Sequence, residues 1–122
     1  MSSAEISMHL DEKTQIIYQH VEGIIDDEDS DRLYSMTDVL AARLKDRHKV
    51  RILTISDRIG KTSSNARKAL LRNMRDPDLY KIAVMGRNPY MKALFTFILS
   101  VSGMKKTKMF TDEADAVRWL CE

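Results

Sequence analysis

The sequence predicts an α/β fold with the element order β-β-α-β-α-β-α-β-α and a mixed, mostly parallel sheet. Three observations carry this prediction. The chain opens on two short alternating segments separated by a polar turn. It then carries two β-branched apolar runs, "VRILTIS" and "YKIAVMG", each followed by a segment of helical period. It closes on a short strand-like stretch and an amphipathic octad. Strands that alternate with helices imply right-handed crossovers and parallel pairing, while a hairpin adds an antiparallel strand.

The elements follow in order. "EISMHLD" (5–11) places Ile6, Met8 and Leu10 on one face, and "TQIIYQHVEG" (14–23) follows the turn Asp11-Glu12-Lys13, so the pair reads as a hairpin. From Ser30 to Arg47, Leu33, Met36, Val39, Leu40 and Leu44 recur at three- and four-residue steps, the signature of an amphipathic helix. Its front end is acidic: Asp26, Asp27, Glu28, Asp29 and Asp31 fall within six positions and read as a solvated helix entry, favoured by the unpaired amides of a first turn. The run lacks the alternating ligands, central glycine and distal glutamate of a calcium loop.

Residues 50–56 form a strand with the continuous apolar content of a strand covered on both faces. Residues 65–75 read as a helix with Ala66, Ala69, Leu70 and Met74 on one side and Lys68, Arg72 and Arg75 on the other, closed by Pro77. "YKIAVMG" (80–86) is a second buried strand. Pro89 suits the first turn of a helix that runs to Gly103. "KTKMFTD" (106–112) is a short strand, and "EADAVRWL" (113–120) is a last helix capped by Thr111 or Asp112.

At 122 residues the whole chain, 1–122, fits one domain. With 43% apolar and 31% charged residues it is globular in composition, and a net charge of +2 does not announce a nucleic-acid protein. One cysteine, Cys121, excludes an internal disulfide and a cysteine-cluster metal site, and it suits a reducing compartment. His9, His20 and His48 are too scattered for a ligand set; His9 and His20 alternate with core positions and are expected at the sheet edge or facing solvent. The most apolar stretch, residues 93–101, falls short of the roughly 18 residues a spanning helix needs. The expectations are therefore a cytoplasmic, non-enzymatic protein with no metal, no cofactor, no nucleic-acid partner and no membrane span.

The informative segment is "SDRIGKTSSNARKALL" (56–71). Gly60-Lys61-Thr62 matches the end of a phosphate-binding loop, but the position that must supply the first glycine is Ile55, so the backbone cannot curl round a phosphate. Thr62, Ser63 or Ser64 each suits a helix cap, and a phosphate on one of these hydroxyls would meet the same amides, with Lys61 and Arg67 within a turn. From Arg58 to Arg75 there are six basic residues and no acid. A basic helix beside the serines fits an acidic partner or anion, or a solvated face. Without interleaved aromatics it does not fit RNA.

The element order and the strand–Ser-Ser–helix junction resemble the STAS domain, the anti-sigma-factor antagonist family. The closing pattern "YKIAVMGRNPYMKALFTFI…TKMFTDEADAVRWL" is similar to the single-domain branch grouped with Sec14-type folds. The resemblance implies helices packed on a mixed sheet and binding of a protein partner, a regulatory factor or a kinase. It also implies a phosphorylation switch at the junction. Where phosphorylated members carry Asp-Ser-Ser-Gly, this chain has Thr62-Ser63-Ser64-Asn65, which makes Ser64, or Ser63, the expected phosphorylation site. Asp57, Arg58, Lys61, Thr62, Asn65, Arg67 and Lys68 are the expected partner- or anion-binding residues. The alternative is a small apolar or anionic, lipid-like ligand held against Tyr90, Met91, Phe95 and Phe97.

Overall fold

The computed structural model describes residues 5–56, 75–86 and 106–122, with Ser64, Lys68, Pro89, Lys92, Ala93 and Thr96 as single helical residues between them. Five strands and two helices are delimited: β1 (Glu5–Asp11), β2 (Ile16–Glu22), α1 (Asp27–Ala41), β3 (Val50–Ile55), β4 (Leu79–Met85), β5 (Thr107–Phe110) and α2 (Glu113–Leu120). The strands lie side by side in chain order, β1-β2-β3-β4-β5. β1 pairs antiparallel with β2, and every later pair is parallel. The predicted mixed, mostly parallel sheet with its N-terminal hairpin is the fold observed.

Alternation along the central strands divides the core between the two faces. Ile17, Val21, Ile52, Ile82 and Val84 point to one face and pack with Ile25 and Leu33 of the α1 segment. Ile16, Leu53 and Ala83 point to the other and are covered by Ala116 and Leu120 of α2. On the first face Gln19 ties three elements together. Its amide donates to Thr37 Oγ1 at 2.8 Å, and its carbonyl accepts from Thr54 Oγ1 at 2.9 Å.

Three expectations need correction. The first helix runs Asp27–Ala41 rather than from Ser30 to about Arg47: the acidic run is its front end, as expected, but Asp27, Glu28 and Asp29 already form the first turn. Asp26 is its N-cap and forms a reciprocal box with Asp29: Asp29 N–H donates to Asp26 Oδ1 at 2.8 Å, and Asp26 N–H donates to Asp29 Oδ2 at 3.1 Å. Asp29 is accordingly fully buried, not solvated, and lies 3.5 Å from Arg32. Next, the second strand is Ile16–Glu22 rather than 14–23, since Gln15 takes a left-handed φ of 61° in the hairpin turn and Gly23 a φ of 102° at the strand's exit. Finally, of the helix expected over 65–75 only Lys68 and Arg75 are described: Lys68 is helical, as is Ser64 before it, whereas Arg75 lies in a turn, and the rest of the segment lies outside the described residues. The last helix is Glu113–Leu120 as predicted, with Asp112 as its cap: Asp112 Oδ1 accepts from the amides of Ala114 and Asp115.

Candidate functional site

Four parallel strands end on one edge of the sheet, the place where open α/β folds present their loops to ligands and partners. The residue that organises this edge is Ser56, the last of "VRILTIS". Its hydroxyl donates to the Val21 carbonyl of β2 at 2.7 Å, and its N–H donates to the Met85 carbonyl of β4 at 2.9 Å. Ser56 is 1% exposed. One small polar residue therefore joins the ends of β2, β3 and β4 and fixes the direction in which the chain leaves β3. Serine suits the task because a short hydroxyl reaches a neighbouring carbonyl that an apolar side chain would leave unsatisfied.

Beside Ser56 the end of β2 turns through Gly23 into exposed Ile24 and then into the capped start of α1. The edge thus carries an apolar side chain next to the exposed carboxylates of Asp27 and Glu28. Past β3, Ser64 and Lys68 are both helical and exposed. They are four residues apart, the spacing at which helical side chains can meet, so the Lys68 ammonium could reach an anion held at Ser64. Of the other residues predicted for this surface, Asp57, Arg58, Lys61, Thr62, Ser63, Asn65 and Arg67 lie outside the described residues. So do Tyr90, Met91, Phe95 and Phe97. In the segment that carries the latter, Pro89, Lys92, Ala93 and Thr96 are helical and exposed.

On the α2 side of the sheet, α2 covers β3 to β5, and aromatic rings stand on the β1–β2 half. His9 stacks on Tyr18 with ring centroids 4.7 Å apart, and on His20 at 6.2 Å. His9 is exposed on the edge strand, as expected, and His20 is half-buried. Partial burial, with the nearby charges of Glu113, Asp11 and Cys121, pushes the Tyr18 phenol above its ordinary range. Among the described residues no three His, Cys, Asp or Glu side chains converge as a metal site would require. No described helix is long and apolar enough to cross a membrane.

A groove that sequence reasoning did not find is lined by Lys108, Met109 and Phe110 of β5, by Lys92, and by Asp115, Arg118 and Trp119 of α2. Its aromatic wall is the tilted pair Phe110–Trp119, with centroids 5.5 Å apart. The signal for it in the sequence is faint, a Phe and a Trp nine residues apart that read equally well as core.

The fold and its carboxyl edge define the chain as a small mixed-sheet α/β module built round a strand-to-helix junction. It belongs to the SpoIIAA-like family, whose model matches residues 16–121. Two solved structures share the fold. One is an uncharacterized protein with a SpoIIAA-like fold from Shewanella loihica PV-4, 17% identical over 99% of both chains, with a TM-score of 0.70. The other is an anti-sigma factor antagonist from Mycobacterium paratuberculosis, 14% identical over 98% of this chain and 96% of that one, with a TM-score of 0.65. A search among curated proteins returns no match.

Proposed function

We propose that this protein is a non-enzymatic regulatory module of the cytoplasm that binds a partner protein through the junction after β3, with Ser64 as its switch. The observation that carries the reading is the pairing of a fixed strand end with an exposed serine. Ser56 is locked between β2 and β4, and eight residues later Ser64 stands exposed in helical structure with Lys68 a turn beyond. Membership of the SpoIIAA-like family supports a binding role, and the Mycobacterium relative is named for antagonism of an anti-sigma factor. Asp57, Arg58, Lys61, Thr62, Asn65, Arg67 and Lys68 form the proposed contact surface, with Ile24 and the start of α1 beside it on the same edge.

A phosphate on Ser64 brings about two negative charges to a surface followed in sequence by Arg67, Lys68, Arg72 and Arg75, which changes the sign of what that surface attracts. The test is quantitative binding of the wild type, Ser64→Ala and Ser64→Asp to proteins that co-purify with the tagged chain from its host. Binding that is kept by Ser64→Ala and lost or gained by Ser64→Asp, with the fold unchanged by circular dichroism, supports the switch. Equal binding by all three sinks it.

A further inference from the structure

We propose that the outer edge of β5 receives an extended segment of a partner protein by strand addition, and that this segment carries an acidic residue and an apolar residue two positions apart. The surface is distinct from the Ser64 junction, and the proposal does not rest on the switch.

The backbone sets the first condition. Ile82 N–H donates to the Lys106 carbonyl at 2.8 Å, and Ile82 pairs in register with Thr107. In a parallel ladder alternate residues aim both backbone groups at the same neighbour. Lys106, Lys108 and Phe110 therefore bond β4, while Thr107 and Met109 turn N–H and C=O away from the sheet, Thr107 at a buried position and Met109 at a half-buried one that leaves its edge open to a partner. Among the described residues nothing pairs with that side of β5.

The groove sets the second. It has a volume of about 800 Å³ and is lined by every residue from Lys108 to Thr111, so the strand edge runs along it. Lys92 lines it as well, with Asp115, Arg118 and Trp119 of α2, so a segment lying beside β5 meets these side chains. Added strands gain affinity from main-chain hydrogen bonds and specificity from alternate side chains.

Charge decides the occupant. Arg118 and Asp115 are paired at 3.3 Å. Among the described residues Lys92, Lys106 and Lys108 pair with no carboxylate, and Glu122 is the other acid of the lining. On the α2 face Lys108 precedes Phe110 by two residues, with its ammonium 5.3 Å from the Phe110 ring centre. A neighbouring strand that sets a carboxylate beside Lys108 and an apolar side chain beside Phe110 and Trp119 complements both. A second copy is the poorer occupant, because antiparallel pairing centred on Lys108 opposes like charges. Edge lysines discourage self-pairing in this way and still admit an acidic strand.

The experiment selects binders to the purified protein from a displayed library of heptapeptides with Val or Thr at alternate positions and the others random. Enriched peptides should carry Glu or Asp two positions from an aromatic or aliphatic residue. A synthetic peptide of that pattern should bind about fivefold or more tighter than its Lys-for-Glu counterpart. Lys108→Glu should reverse that preference. N-methylation of alternate backbone nitrogens on the edge-facing side should abolish binding, and on the other side spare it. Met109→Pro removes only an outward N–H and should lose the peptide with the β4 ladder kept. If Met109→Pro does not fold, Lys108→Glu and the N-methylated peptides decide. Ser64→Asp should bind the peptide as the wild type does, which separates this surface from the junction. No enrichment, indifference to N-methylation, equal affinity for Glu and Lys peptides, or self-association through β5 in sedimentation overturns the proposal.

Discussion

Arg51 Nε donates to the Leu120 carbonyl at 2.7 Å and so fastens β3 to the last turn of α2. Lys81 on β4 does the same for the Trp119 carbonyl at 2.7 Å, and the Tyr80 hydroxyl donates to the Glu122 carbonyl at 3.0 Å. The arrangement follows from register. Arg51 and Lys81 are direct neighbours on the parallel strands, two cations that would repel if nothing stood between them and water. The negative end of the helix lies over both, where the final carbonyls have no partners within the helix. Tyr80 steadies the cations further, with Lys49, Arg51 and Lys81 at 4.6, 5.1 and 5.3 Å from its ring centre.

Arg51→Ala is expected to destabilise the fold by about 1.5–3 kcal/mol, the usual range for a hydrogen bond to a charged group. Urea unfolding followed by Trp119 fluorescence measures it. Lys81→Met should cost less than Arg51→Ala, since its stem still covers Trp119. The double variant should lose less than the sum, because the two act on one helix end.

Ser56→Ala is expected to cost about 1–3 kcal/mol, because the Val21 carbonyl loses its donor in a buried place. Hydrogen exchange is the sharper readout. Amides at the ends of β2 and β3 should lose protection well before those of β1 do. Unchanged exchange at this edge would show that the hydroxyl does not fix the junction.

Asp26→Ala removes one half of the box that starts α1 and is expected to cost about 1 kcal/mol, within the roughly 0.5–2 found for such caps. Asp26→Ser should restore most of it. Asp29→Ala, at a fully buried position, should be the more damaging change.

Two titrations have opposite signs. The Tyr18 phenol is raised by burial, then by the charges around it, so the unfolded chain releases this proton first. Stability should fall as pH rises above about 10, the ordinary tyrosine value, and level off above the folded value. Tyr18→Phe should lack that slope in denaturation curves. His48 is raised by its hydrogen bond to Asp78 at 2.9 Å and by that carboxylate's charge. Its contribution is complete below about 6.5 and is lost as pH rises through the folded value. The ring is fully exposed, so NMR titration is the measurement. The His48 midpoint should drop back toward 6.5 in Asp78→Asn.

The strands were legible because their signals are local. Alternation in "EISMHLD" and the apolar runs before Ser56 and Gly86 mark faces and ends without reference to the rest of the chain. The last helix was legible to the residue, since Asp112 and the period of Ala116 and Leu120 are both visible. The start of α1 was not. Carboxylates in a row look solvated, and only the reciprocal geometry of Asp26 and Asp29 shows one of them buried. Arg51 and Lys81 were equally opaque, being cations inside apolar runs whose partners lie 69 and 38 residues away. The edge of β5 could not be read at all, because which residues bond outward depends on register with β4.

Strand order that repeats chain order has a consequence for assembly. Each new strand from β2 to β5 docks on the one made just before it, so the sheet can grow in step with synthesis. The α2 side is the exception. Among the described residues, Ile16 and Leu53 gain their cover there from Ala116 and Leu120, and Arg51 and Lys81 wait for carbonyls that come last. Among the described residues, one half of the interior is therefore sealed by the final helix, which makes α2 the latch whose closing separates a grown sheet from a finished protein.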